Sequence, residues 1–152
     1  MLPKTHALWG FVFSAVLFIF IPGVSLVDAS LVFLASFFVD ADHYLYYVLR
    51  KKDLSLKNAY AWFIEKRDFL RSLNSEEIRK YERAIMIFHG IEFWAILAFL
   101  IFIHKIFLFI LLGILFHMCL DLIDLVRRDM PMHSKLSQIY THKTNKNRKK
   151  LE

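Results

Sequence analysis

The chain has 152 residues, of which 57% are hydrophobic and 16 are Phe against only 4 Gly. That is room for one domain, with far more apolar surface than a water-soluble domain of this size buries, so an integral membrane protein is expected. Cys119 is the sole cysteine, which excludes an intrachain disulfide and any thiolate metal cluster. The formal charge of +6 is not accompanied by a nucleic-acid fold signature, so no specific nucleic-acid partner is expected.

Four apolar stretches, 7–27, 29–49, 84–103 and 106–126, reach the roughly 20 residues that a hydrocarbon core of about 30 Å requires. The fold class expected is all-α: a polytopic membrane protein with four transmembrane helices as two antiparallel hairpins, plus an interfacial amphipathic helix. Residues 1–128 form the membrane domain, 51–83 a cytoplasmic or interfacial helical insert within it, and 129–152 a basic tail. The first helix starts at Thr5 or His6 and stops at the breaker pair Pro22-Gly23. The second runs from about Asp28, read as its N-cap, to Arg50. From Asp53 to Leu73 an apolar stripe, Leu56, Tyr60, Phe63 and Leu70, alternates with basic residues, which suits a helix lying in the inner interface. Asn74 and Glu77 have capping-box spacing, so the third helix is predicted to begin near Ser75 and run unbroken to Ile103. The tail from Asp129 loses periodicity and ends in a basic run, which reads as disordered chain near an anionic leaflet.

Charge sets the orientation. All of the 20 Lys and Arg except Lys105 fall before the first stretch, between the second and third, or after the fourth. The positive-inside rule therefore places both termini and the central loop in the cytoplasm, with the chain in a cell or inner membrane and the two tight turns outside.

Ionisable residues inside these stretches are the functional signal, because each costs roughly 2.5 to 3.5 kcal/mol at a span centre unless it is paired or bound to a cation. His89 and Glu92 precede the turn at His104-Lys105 by about as many residues as His117 and Asp121 follow it. His6 and the run Asp40-Ala41-Asp42-His43 flank Pro22-Gly23 in the same way. In antiparallel hairpins all eight groups reach one depth. Residues three or four apart share a helix face, so His89 with Glu92, His117 with Asp121 and Asp40 with His43 each make an arm, while Asp42 points elsewhere unless the helix is distorted. Imidazole and carboxylate donors without thiolate favour zinc, manganese or ferrous iron, and this many donors could hold one or two ions.

Thr5-His6 opening the first span, Asp40-Ala41-Asp42-His43 closing the second, His89 opening the third and His117-x-x-x-Asp121 closing the fourth together resemble the membrane-bound metal-dependent hydrolase family. That family is distantly similar to zinc-dependent phospholipase C and P1-type nucleases, whose helical sites hold zinc with His, Asp and Glu. The resemblance covers about residues 5 to 124. It departs at Phe38-Val39, where members often carry Leu-Pro, and at Glu92, where many carry a second His.

The expected activity is metal-dependent hydrolysis of a phosphoester in a lipid or lipid-linked substrate at the cytoplasmic face. His6, Asp40, His43, His89, His117 and Asp121 are the expected ligands. Asp42 or Glu92 would bridge metals or act as general base, and Arg127 and Arg128 would engage the phosphate. Two alternatives stand beside this reading: a non-enzymatic metal-binding or ion-translocating membrane protein, and a b-type haem protein using paired histidines.

Overall fold

The structure, a computed structural model, describes residues 3–127 and 136–150. Its elements are α1 (Pro3–Phe20), α2 (Leu26–Phe38), α3 (Ala41–Lys51), α4 (Leu56–Ser72), α5 (Ser75–Ile78), a 3-10 turn (Ile87–His89), α6 (Ile91–Leu100), α7 (Ile106–Val126) and α8 (Gln138–Asn145). The all-α expectation holds among the described residues, apart from one isolated parallel bridge between Tyr81 and Lys149.

The turn between α1 and α2 uses Gly23 at φ +86°, a region that glycine enters without a Cβ penalty. Ser25, not Asp28, caps α2: its hydroxyl accepts from Asp28 N at 3.1 Å, while the Asp28 carboxylate accepts from Ser25 N at 3.0 Å. Asp28 is thus the reciprocal member of a capping box, which ties the turn after α1 to α2.

The continuous second helix expected from the sequence is broken. α2 ends at Phe38 and α3 begins at Ala41, with a turn at Val39-Asp40 that tightens to an i to i+3 bond, His43 N to Asp40 O at 3.1 Å. After α3, Lys52 takes a left-handed conformation (φ 56°), and Asp53 gathers Tyr47 Oη at 2.6 Å, Asn58 Nδ2 at 2.8 Å and Ser55 N at 2.9 Å. These donors, the Tyr47 hydroxyl foremost, hold the Asp53 carboxyl below its ordinary pKa. The polar hub fixes the angle between α3 and α4, so that Trp62 and Phe63 of α4 reach Tyr46, Tyr47 and His43 of α3.

The third helix also departs from expectation. The Asn74–Glu77 capping box is present, yet it caps only the single turn of α5. The segment from Tyr81 to Met86 is not helical, and three of its donors go to the tail: Glu82 N to Lys149 O at 2.8 Å, Arg83 N to Asn145 Oδ1 at 2.9 Å and Met86 N to Gln138 Oε1 at 2.8 Å. Partners supplied from across the chain replace the helical ladder. The tail, expected to be disordered, accordingly contains α8, with Thr141 fully buried. Residues 128–135, among them Arg128 and the start of the expected tail, lie outside the described residues.

α2 is the centre of the bundle, packed on α1 and α7, and α6 packs on α7. Two glycines permit this. A Cβ on Gly10 would collide with the Ser36 side chain; one on Gly113 would strike the Val32 carbonyl oxygen and approach Ala35 Cβ to 2.9 Å and Ser36 N to 3.0 Å. The apolar core, Val39, Leu97, Ile114 and Met118, lies directly beside that contact.

The interior is otherwise unusually polar. His6, Ser14, Asp28, Ser36, Asp42, His89, His117 and Asp121 are buried, while Leu8, Phe11, Ile19, Phe20, Ile96, Phe99 and Phe102 lie exposed on the outside of the bundle. Among the described residues only α7 is both long and apolar enough to cross a membrane; 4–20 and α6 are apolar but shorter.

Because the Val32 carbonyl cannot move aside as a flexible side chain would, Gly113→Ala should destabilise the fold by about 1 to 3 kcal/mol. Thermal unfolding in detergent checks this, and an unchanged midpoint would contradict the close approach.

Candidate metal centre

The break at Asp40 builds the site. In an unbroken helix Asp40 and Asp42 would point to different faces, but the turn brings both carboxylates to His89, on the far side of the bundle. Asp40 Oδ1 lies 3.5 Å from His89 Nε2, and Asp42 Oδ2 lies 3.0 Å from His89 Nδ1. His89 is presented by the 3-10 turn, in which the adjoining Phe88 donates its N–H to the same Asp42 oxygen at 3.1 Å. α7 supplies His117 and Asp121, one turn apart on the face that Gly113 presses against α2.

Four side-chain atoms converge. His89 Nε2 is 3.5 Å from Asp40 Oδ1 and 3.8 Å from Asp121 Oδ2, and His117 Nε2 is 3.4 Å and 3.7 Å from the same two oxygens. An ion bound tetrahedrally at about 2.0 to 2.2 Å from each ligand separates its ligands by about 3.3 to 3.6 Å; the Asp40 spacings fall in that range and the Asp121 spacings slightly exceed it.

The tautomers agree. His117 Nδ1 lies 2.8 Å from the Ser36 carbonyl oxygen, which can only accept, so Nδ1 carries the proton and Nε2 offers a lone pair. His89 Nδ1 likewise donates to Asp42. Both Nε2 atoms are buried and face the carboxylate oxygens of Asp40 and Asp121. Imidazoles held at Nδ1 by a carbonyl or carboxylate, with Nε2 turned toward a shared pair of carboxylates, are arranged as metal ligands are.

His6 enters from α1. Its ring stacks on His117 at 4.0 Å, and its Nε2 is 3.3 Å from Asp121 Oδ1, so the two Asp121 oxygens face different histidines. Three overlapping sets meet the spacing for a bound ion: His6, Asp40 and His117; Asp40, His43 and His89; and His89, His117 and Asp121. Access is one-sided, since the side chains of His89 and His117 are fully buried and those of Asp40 and His43 are 27% and 30% exposed.

Six of the eight residues expected at the site, His6, Asp40, His43, His89, His117 and Asp121, fall in these sets, and Asp42 and Glu92 fall in none. Asp42 stands behind the His89 ring: one oxygen takes His89 Nδ1 and Phe88 N, and the other lies 3.1 Å from His43 Nδ1. Glu92 turns away to the tail, accepting from Ser137 Oγ at 2.6 Å and from the backbone N of Gln138 and Ile139, each at 3.1 Å. It acts as an anion at the N-terminus of α8, where unpaired N–H groups attract a carboxylate. Arg127 is an exposed cap of α7, and Arg128 lies outside the described residues. The Ser36 carbonyl was not legible from sequence, because any residue supplies a carbonyl; Gly113, one turn before His117, was the available clue.

No family model, curated protein or solved structure matches the chain.

His89→Ala and His117→Ala should each lower bound metal, and the double variant should lose little beyond the worse single, as coupled ligands do. Asp42→Ala should weaken metal affinity by roughly 10- to 100-fold through the loosened His89 ring. Elemental analysis after dialysis against a graded chelator measures both, and unchanged stoichiometry in the double variant would remove these residues from a metal site.

Proposed function

We propose that the protein is a membrane-embedded metal-dependent hydrolase that cleaves a phosphoester of a lipid or lipid-linked substrate at the cytoplasmic face. The observation that carries the metal is the convergence of His89 Nε2, His117 Nε2, Asp40 Oδ1 and Asp121 Oδ2, with both Nδ1 atoms tied behind. Zinc suits this nitrogen and oxygen set best, with manganese or ferrous iron next. Membrane embedding is supported by the inverted distribution of polarity: ionisable groups inside and large apolar side chains outside, opposite to the pattern water imposes. In this reading α1, α2 with α3, α6 and α7 with their flanking turns make the four spans.

A bound ion would supply Lewis acidity and a water made nucleophilic near neutral pH. The chain's own groups divide the remaining work. Asp42 and the Ser36 carbonyl fix the two imidazole rings. With Glu92 engaged by α8, the group placed to take a proton is His43, at the exposed rim with Nδ1 against Asp42 Oδ1 and within 3.4 Å of Asp40 Oδ1. The resemblance to metal-dependent hydrolases supplies the reaction class, and the basic residues flanking the spans suit an anionic substrate.

The second reading, a metal-binding protein without hydrolysis, is favoured by one observation: His6, His89, His117 and Asp121 are all buried, as ligands of closed structural sites are. Ion translocation is weaker. Ser14 and Ser36, between the cluster and the outer turn, donate to carbonyls of their own helices and form no polar path. Haem is weaker still, because ring centroids of 4.0 Å (His6 to His117) and 5.3 Å (His89 to His117) leave no space for a porphyrin between them.

Elemental analysis of detergent-purified protein, paired with a phosphodiester and phospholipid panel, tests the proposal. We expect metal-dependent turnover, with His43→Gln retaining most metal and losing most turnover, and Glu92→Gln retaining both. Metal without turnover on any substrate would establish the second reading. Cysteine labelling in a Cys119→Ala background should find position 53 protected from outside and position 104 labelled; the reverse pattern would overturn the orientation.

A further inference from the structure

The seam between the central segment and the tail holds two arginines that the metal site does not use. Main-chain bonds lace the seam: Glu82 N to Lys149 O and Lys149 N to Lys80 O, both at 2.8 Å, with Asn145 bonded to Arg83 at both its N (2.9 Å) and its O (2.7 Å). Arg148 lies close enough to Arg83 for their charges to repel. Arg83 Nη2 and Arg148 Nη1 are each shut off from solvent, and each lacks a hydrogen-bond partner. The adjoining carboxylate, Glu82, is in an ion pair with Arg50.

Two like charges with desolvated donors oppose the closure of a seam that the main chain otherwise favours. Burial, and then the neighbouring Arg148, push the Arg83 guanidinium down to about 10, the response of a cation short of an anion. Guanidinium forks match the oxygens of phosphate, and two forks can grip one group with several charge-assisted hydrogen bonds.

We propose that Arg83 and Arg148 form a binding site for a phosphate group, from inorganic phosphate or a phosphomonoester lipid headgroup, and that filling it clamps the tail onto the 80–86 segment. The clamp reaches further along the chain, because the tail also holds Met86 N through Gln138 and Glu92 through the start of α8, on either side of His89. It does not depend on hydrolysis or on a bound metal.

The test uses the full chain in detergent. Inorganic phosphate, dihexanoyl phosphatidate and dihexanoyl phosphatidylcholine are titrated separately, reading binding by calorimetry and tail order by protection from trypsin. We expect phosphate, phosphatidate or both to bind and to slow tail cleavage, the pair of results identifying the source, with phosphatidylcholine inert. Arg83→Gln and Arg148→Gln should each weaken binding on the order of tenfold or more, Arg83→Lys should weaken it less, and Lys150→Gln should leave it unchanged. If Arg83→Gln fails to fold, Arg148→Gln decides alone. Failure of both phosphate probes to bind, undiminished binding in the Arg148 variant, or an equal loss in Lys150→Gln would overturn the proposal.

Discussion

At Gly113 the backbone of α7 rests against the backbone of α2, with no side chain between them. One turn later along α7, His117 is then near enough to place Nδ1 on the Ser36 carbonyl, and its Nε2 is left pointing inward. A methyl group at position 113 would move the ring away from that carbonyl and free it to rotate. The polar interior depends on the same contact, since His117 positions the stacked ring of His6 and faces both Asp40 and Asp121. Burying this many ionisable groups is unfavourable group by group. Their mutual approach offsets part of it, and the same clusters could hold a metal ion.

The break at Asp40 is the second constraint. A straight helix would offer this cluster either Asp40 or Asp42, whereas the tightened turn offers both, one oxygen to each nitrogen of His89. Phe88 N reinforces the arrangement from the other side, so a backbone donor that α6 does not use becomes part of the support for a ligand. Carboxylate behind the imidazole and carboxylate in front of it are different tasks, and adjacent acidic residues perform them because the chain bends.

The tail changes the meaning of the central segment. Residues 82–86 leave the helix where residues 138–149 take the N–H groups of Glu82, Arg83 and Met86, and Glu92 turns from the cluster to the N-terminus of α8. Polar groups outside the apolar bundle thus hold both flanks of the turn that carries His89.

The sequence by itself determined that the protein is helical, that its apolar segments pair about two short turns, and that any metal must be held by nitrogen and oxygen. Those features follow from local periodicity, breaker residues and composition. Spacing also brought His6, Asp40, His43, His89, His117 and Asp121 to one level, because helical rise is a fixed quantity. Only the tertiary structure decided which acid stands in front of the His89 ring and which behind it, where the second and third helices break, and that the tail folds back. Each of those outcomes turns on which buried donor finds which acceptor. Asp42 and His89 are 47 positions apart, and Ser36 and His117 are 81, so no local pattern in the chain records the choice.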